Sequence, residues 1–289
     1  MTQLATQRLL LIDGHAAAYR FHHGIRSMQT ESGTPIQAVF GFIRMVQHLQ
    51  RQLYPTHLGV VFDGGLPQQR LELVPDYKAH RKPMPDDLRL QLPILQEYLT
   101  AACVAWYCLD ATEADDVIAT FAQEFNNGHV YIGTSDKDMY QLVNETISII
   151  PLAGRWVELD PAGVVTKTGV SPEQIADWLA LIGDAADNIP GIPGVGPKTA
   201  AKLLAEFNSL EGIYANLENV KSEKLQGLLR QHADIVWRNR EMVQLHRVEG
   251  LPVMERLQLQ PPDIGALELF YEKYGFTSFS QSLRSPELF

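Results

Sequence analysis

EADDVIATFAQEFNNGHVYIGTSDKDMYQLV, residues 113–143, puts a helix, a strand and two groups of acids into one stretch. Residues 113–125 read as a helix. HVYIGT (129–134) reads as a short strand that runs straight into Asp136 and Asp138. The same alternation extends upstream. RLLLI (8–12) and HLGVVF (57–62) read as strands ending at Asp13 and Asp63, and CVAWYCL (103–109) as another. Between them lie helices: HAAAYRFHHGI (15–25), a segment closing near Ala101, and PIQAVFGFIRMVQHLQRQL (35–53), with Val39, Phe42, Ile43, Val46, Leu49 and Leu53 at helical spacing. Near-continuous apolar strands alternating with helices predict an α/β unit, a mostly parallel sheet covered on both faces. After about residue 170 the strands stop, and SPEQIADWLALIG, PKTAAKLLAEF and SLEGIYANL read as short helices. At 289 residues a two-domain division is expected: α/β over 8–168 and all-helical over 169–289.

Nine carboxylates gather at or just after the ends of apolar runs: Asp13, Asp63, Glu113, Asp115, Asp116, Asp136, Asp138, Asp184 and Asp187. In an open α/β sheet such positions converge on one crevice. Two unit charges about 4 Å apart repel by roughly 4 kcal/mol at an effective dielectric near 20, so the set requires protons or cations. Oxygen ligands without a Cys/His set favour magnesium, with manganese as substitute, over zinc, and two such ions are the usual apparatus for phosphodiester hydrolysis. Capping of helix starts explains Glu113 taken alone but not the accumulation. The net charge is −10, from 24 Lys and Arg against 34 Asp and Glu. Without the nine acids it is −1, and two divalent ions bring it to about +3. An acidic balance therefore does not exclude DNA.

Two further segments stand out. Residues 64–92 carry four prolines and the bases Arg70, Lys78, Arg81, Lys82 and Arg89 without a long apolar face; a loop of that length is functional or disordered. IPGIPGVGPKT (189–199) offers Gly191, Gly194 and Gly196 for tight turns, with Pro197 opening a helix that carries Lys198, Thr199 and Lys202. It nearly spells a P-loop, but Pro197 intervenes before Lys198 and no strand precedes it. A helix-hairpin-helix over about 181–206, gripping a DNA backbone without reading bases, is the expectation; a plain glycine-rich turn is the alternative. Cys103 and Cys108 lack a second Cys/His pair and read as small buried hydrophobes. The opening residues have neither a signal-peptide layout nor 18 consecutive apolar positions, so a cytoplasmic protein without membrane contact is expected.

DYKAHR downstream of FDG, EADDVIA, TSDKDMYQLV and GDAADNIPGIPGVGPKTA together resemble the bacterial 5′ nucleases, the family of the 5′→3′ exonuclease region of DNA polymerase I and of stand-alone flap endonucleases. The likeness runs from about Leu9 to the last helices. It implies a PIN-like fold with a helical arch at 64–92, and either a free-standing nuclease or an excised nuclease domain, expected as a monomer. It also implies two metal sets: Asp63, Glu113, Asp115 and Asp116 with Asp13 nearby, and Asp136, Asp138, Asp184 and Asp187. Lys78 and Arg81 are then placed at the scissile phosphate, Tyr19, Arg20 and Tyr77 join the DNA contacts, and a potassium ion sits on the hairpin carbonyls of Leu181, Ile182, Pro190, Ile192 and Val195. Ser135 and Ala186 depart from the usual residues without removing a ligand. The implied activity is two-metal hydrolysis of DNA at a 5′ flap, nick or free 5′ end in replication and repair, leaving 5′-phosphate and 3′-hydroxyl ends. A DNA-binding module with weak or no catalysis and a PIN-type ribonuclease, acting on RNA or an RNA–DNA hybrid, are the alternatives.

Overall fold

A computed structural model of the chain describes residues 7–283; the ends of the sequence, including the last six residues of the expected helical region, lie outside the described residues. Five parallel strands form the sheet: β1 (Gln7–Asp13), β2 (His57–Phe62), β3 (Ala105–Cys108), β4 (Gly128–Thr134) and β5 (Ile147–Pro151), in the order β3-β2-β1-β4-β5. β1 lies in the centre, with Leu9 to Ile12 fully buried. Successive side chains point to opposite faces. Leu9 and Leu11 therefore enter one core and Leu10 and Ile12 the other.

The second core is closed by α1 (Gly14–Gly24), α2 (Gln37–Leu53) and α5 (Leu92–Ala101). The first is closed by α6 (Ala114–Glu124) and continues into the helical region, α7 (Pro161–Thr168), α8 (Ile175–Ile182), α9 (Pro197–Phe207), α10 (Leu210–Ala215), α11 (Glu223–Gln231) and α12 (Ala233–Val243). The last helices, α13 (Ile264–Lys273) and α14 (Thr277–Leu283), return to the second core. There Phe270, Tyr271, Phe276 and Phe279 pack with Phe40 and Tyr98. Among the described residues no helix is long and apolar enough to cross a membrane.

Four local expectations need correction. β5 follows a 3-10 turn at Asp138–Leu142 and escapes a reading that looks for alternating helices. Strands do not stop at 170, because a two-residue antiparallel ribbon, β6 (Gly183–Asp184) with β7 (Ile189–Pro190), links α8 to α9. The cysteines are exposed: Cys103 sits in the turn after α5 with φ 53, and Cys108 ends an edge strand. Segment 64–92 is not an open loop. It forms α3 (Gln68–Leu73), a run of turns and α4 (Asp86–Arg89), and it buries Arg70, Val74, Tyr77 and Leu88 against the body.

The ribbon depends on glycine. Gly183 has φ +74, and a Cβ on Gly191 would stand 2.1 Å from the Ile182 carbonyl oxygen and 2.6 Å from the Gly183 nitrogen. Backbone cannot yield as a flexible side chain does. Gly191→Ala is expected to cost more than about 2 kcal/mol in urea unfolding, since the ribbon must separate to admit the methyl. An unchanged midpoint would contradict this packing.

Candidate active site

The chain leaves β1 toward β2 and β3 on one side and returns to β4 and β5 on the other, so the switch point opens between the carboxyl ends of β1 and β4. Asp13 ends β1 and Thr134 ends β4. The Thr134 hydroxyl donates to Asp13 Oδ2 at 3.2 Å, and Asp13 Oδ1 caps α1 by accepting the Ala16 N–H at 2.9 Å. Asp63, next after β2, accepts the Ala114 N–H at 2.9 Å and so fixes the start of α6. Capping and convergence thus operate on the same side chains. The Asp63 N–H donates to His15 Nδ1 at 2.9 Å, which makes that nitrogen an acceptor. Burial also lowers the His15 pKa, and the ring is neutral although Asp63 Oδ2 lies 3.5 Å away.

Charge crowds in the crevice. Burial, followed by the Asp63 charge, raises the Asp13 pKa to about 7. Asp115 and Asp138 are pushed far above the carboxylate range, first by burial and then by Asp136, and Asp136 itself is raised by burial. Asp136 Oδ1 accepts the Asp138 N–H at 2.9 Å, which turns the two side chains of the loop after β4 inward. Oxygens of Asp138, Asp184 and Asp187 all lie within 4.8 Å of one another. Asp138 Oδ1 is buried without a hydrogen-bond partner, an acceptor that a cation or a proton must satisfy. An all-oxygen triad with an unsatisfied lone pair fits Mg2+ or Mn2+. Lys137 Nζ, 3.1 Å from Asp184 Oδ2, stands at its edge.

Glu113 and Asp116 lie among bases from the 64–92 segment. Arg70 grips both, Lys78 Nζ contacts Glu113 Oε1, and Arg81 pairs with Asp187. The Tyr77 hydroxyl donates to Glu113 Oε1 at 3.2 Å and lies 3.3 Å from Asp187 Oδ2, joining the two neighbourhoods. Burial, then the charge on Glu113, raises its pKa, so the phenol keeps its proton. Tyr77, expected among the DNA contacts, is enclosed at 4% exposure, and its hydroxyl serves the acids. Lys78 turns at φ 57 and donates its N–H to the Asp187 carbonyl at 3.1 Å. Asn188 holds the same turn through the Asp76 carbonyl at 2.8 Å.

Seven of the nine acids, Asp13, Asp63, Asp115, Asp136, Asp138, Asp184 and Asp187, surround the crevice by these contacts and mutual charge effects. Glu113 joins them through Tyr77. Asp116 stands apart, because Arg70 and the His246 N–H occupy its carboxylate. Tyr19 is half-buried on α1, feels the charges of Arg81 and Asp63, and stacks on His23 at 6.2 Å. Arg20 is exposed and reaches the Leu152 carbonyl at 3.4 Å instead of an acid. At the hairpin, Gly196 caps α9, Gly194 has φ 82, and Lys198 is exposed. The carbonyls of Leu181, Ile192 and Pro190 accept Ile192 N–H, Val195 N–H and Asn239 Nδ2 respectively. Arg70, His15, Thr134 and Lys137 escape the sequence reading. Only Lys137, between two acids, carries a local signal.

Two family models match consecutive parts of the chain: the 5′-3′ exonuclease N-terminal resolvase-like domain over residues 8–169, and the 5′-3′ exonuclease C-terminal SAM fold over 170–264. DNA polymerase I of Bacillus caldotenax is 33% identical over 286 residues, which cover 97% of this chain and 33% of that protein. Thermostable DNA polymerase I of Thermus thermophilus is 37% identical over 276 residues, 94% of this chain and 32% of that protein. The chain thus spans about a third of the length of these curated relatives. Among solved structures, phage T5 5′-exonuclease with bound divalent zinc superposes with a TM-score of 0.70 at 23% identity, over 83% of this chain and 90% of that one. A T5 flap endonuclease in a pseudo-enzyme-product complex with DNA and metal ions gives 0.70 at 21%, over 96% and 98%. The catalytic core of Rad2 with DNA substrate gives 0.67 at 17%, over 98% and 93%. At these identities the structures establish a shared fold.

Proposed function

The chain belongs to the 5′-3′ exonuclease family, and from that premise we propose that it hydrolyses DNA phosphodiester bonds at a free 5′ end, nick or 5′ flap, leaving 5′-phosphate and 3′-hydroxyl ends. The observation that carries this is the buried triad of Asp138, Asp184 and Asp187, with its unsatisfied Asp138 oxygen and with Lys78 and Arg81 paired to Asp187. Asp136, Asp115, Asp13 and Asp63 complete an oxygen-lined site for two divalent ions, magnesium with manganese as substitute. Ions held by these residues would supply a lowered pKa to a bound water and compensation for charge on the leaving oxygen. The T5 relatives, whose structures contain divalent ions and DNA, support the same assignment.

The protein's own groups supply the rest. Lys78, its side chain 9% exposed, and Arg81, 47% exposed, are held cationic by Glu113 and Asp187 against the cost of burial and put positive charge beside the acids for the phosphate in its transition state. Tyr19, beside Arg81, offers an aromatic face to a terminal base. The exposed Lys198 and the α9 start offer N–H groups and charge to a duplex backbone. The resolvase-like N-terminal part favours this assignment over a PIN ribonuclease because the hairpin region follows it in the same family.

Cleavage of a 5′-flap oligonucleotide with free and with blocked 5′ ends, set beside RNA and RNA–DNA hybrids, tests the proposal. Magnesium-dependent release from the DNA flap is the expected result. Binding without cleavage in either metal would leave only the DNA-binding module. A potassium ion on the hairpin carbonyls belongs to the same proposal, since each engaged carbonyl keeps a second lone pair. Duplex affinity measured against KCl and LiCl concentration checks both features. Affinity is expected to be weaker in LiCl, and Lys198→Ala with Lys202→Ala should flatten the salt slope by about one for each phosphate that is no longer neutralised.

A further inference from the structure

Arg70 leaves the foot of the 64–92 segment and is 4% exposed. All five of its N–H groups are engaged. Nε donates to the Met242 carbonyl at 3.1 Å, one terminal nitrogen to Glu113 and to Asp116 Oδ2 at 2.9 Å, the other to Asp116 Oδ1 at 3.0 Å and the Gln244 carbonyl at 3.1 Å. Asp116 also accepts the His246 N–H at 2.9 Å, and one turn along α6 Thr120 accepts the Val248 N–H at 2.9 Å. The strap that follows α12 is thereby fastened along α6. Two of the five acceptors are backbone carbonyls, which neither titrate nor serve the acid crevice, so they fix the guanidinium from behind. Glu113 is consequently held from two sides, by Arg70 and by Tyr77 with Lys78.

We propose that Arg70 is a positioning residue for the reaction, fixing the Glu113 carboxylate and tying the arch foot to the strap after α12, with Asp116 as its counter-ion instead of a metal ligand. This rests on the nuclease assignment above. A fork of five donors matches this geometry, and lysine, with three donors on one nitrogen, cannot fill it.

Arg70→Lys, Asp116→Asn and the double variant decide it through three measurements: steady-state flap cleavage, Mn2+ stoichiometry by electron paramagnetic resonance, and melting in EDTA. Each single change is expected to lower kcat by about 10- to 100-fold with KM little altered, because a loosened Glu113 no longer fixes Lys78 in place. The double variant should lose no more than the worse single one, and Asp116→Asn should bind as many Mn2+ ions as the parent. Loss of a bound Mn2+ in Asp116→Asn, losses that multiply, or lowered melting with unchanged kcat would overturn the proposal. If the parent cleaves no flap, the nuclease assignment falls by itself, while Mn2+ stoichiometry and the melting cycle still judge the Arg70–Asp116 pairing. If Arg70→Lys does not fold, Asp116→Asn alone decides by the same stoichiometry and kcat.

Discussion

Asp184→Asn is expected to lower flap-cleavage turnover on the order of 10³-fold while duplex affinity changes by less than about threefold. Asn keeps the shape and leaves an oxygen to accept the Ala186 N–H, which Asp184 Oδ1 now receives at 2.9 Å. What disappears is one of three carboxyl groups whose oxygens lie within 4.8 Å of one another. The proposed two-ion site loses a ligand there, whereas Lys198 and the hairpin glycines proposed to meet a DNA backbone are untouched. The same change should raise the melting temperature of the protein in EDTA, because Asp184 is among the charges that disfavour ionisation of Asp138 and Asp136. Lys137 loses its partner, but its side chain is 35% exposed and water takes the place of the carboxylate. Less cleavage with greater metal-free stability is the signature of a site assembled against its own electrostatics. Equal activity in parent and variant would remove Asp184 from the mechanism, and lower stability in EDTA would remove the repulsion.

The acids were legible in the sequence because each closes or follows a local pattern that physics makes conspicuous, an apolar run ending in a charge. Asp13 after RLLLI and Asp63 after HLGVVF are such cases, and the parallel sheet follows from the same runs. Arg70 was not legible. Its partners Met242 and Gln244 lie 172 and 174 positions away, and in a proline-rich basic segment an arginine reads as solvated. The burial of Tyr77 was not legible for the same reason, being decided by Glu113 and Asp187 from two other parts of the chain. The β6–β7 ribbon is two residues per strand and has no periodicity to detect; only the approach of Gly191 to Gly183 marks it. Local patterns located the acids, and tertiary contacts determine which of them stay free to hold a cation.

Metal-free protein is expected to lose stability as pH rises from about 4 to about 7, opposite to the behaviour of salt-bridged carboxylates. Asp13 is the clearest contributor. Its pKa is 3.8 when unperturbed and about 7 in the fold, so between those values the folded state holds the proton that the unfolded chain has released. The contribution of Asp13 therefore declines with pH across that window and is lost above it. The shift corresponds to roughly 4 kcal/mol. Asp115, Asp136 and Asp138 are raised in the same direction and act with it. Divalent ions bind the ionised acids, so Mg2+ should raise the melting temperature strongly at pH 8 and little at pH 5. A ligand at a hundred times its Kd contributes about 2.7 kcal/mol. Melts in EDTA and in Mg2+ at both pH values measure this, with Asp13→Asn as control. That variant keeps an oxygen for the Ala16 N–H but cannot ionise, so its EDTA profile should be flatter. A metal-free protein more stable at pH 8 than at pH 5, or a Mg2+ effect independent of pH, would show that the crevice acids ionise freely and that their convergence does not call for cations.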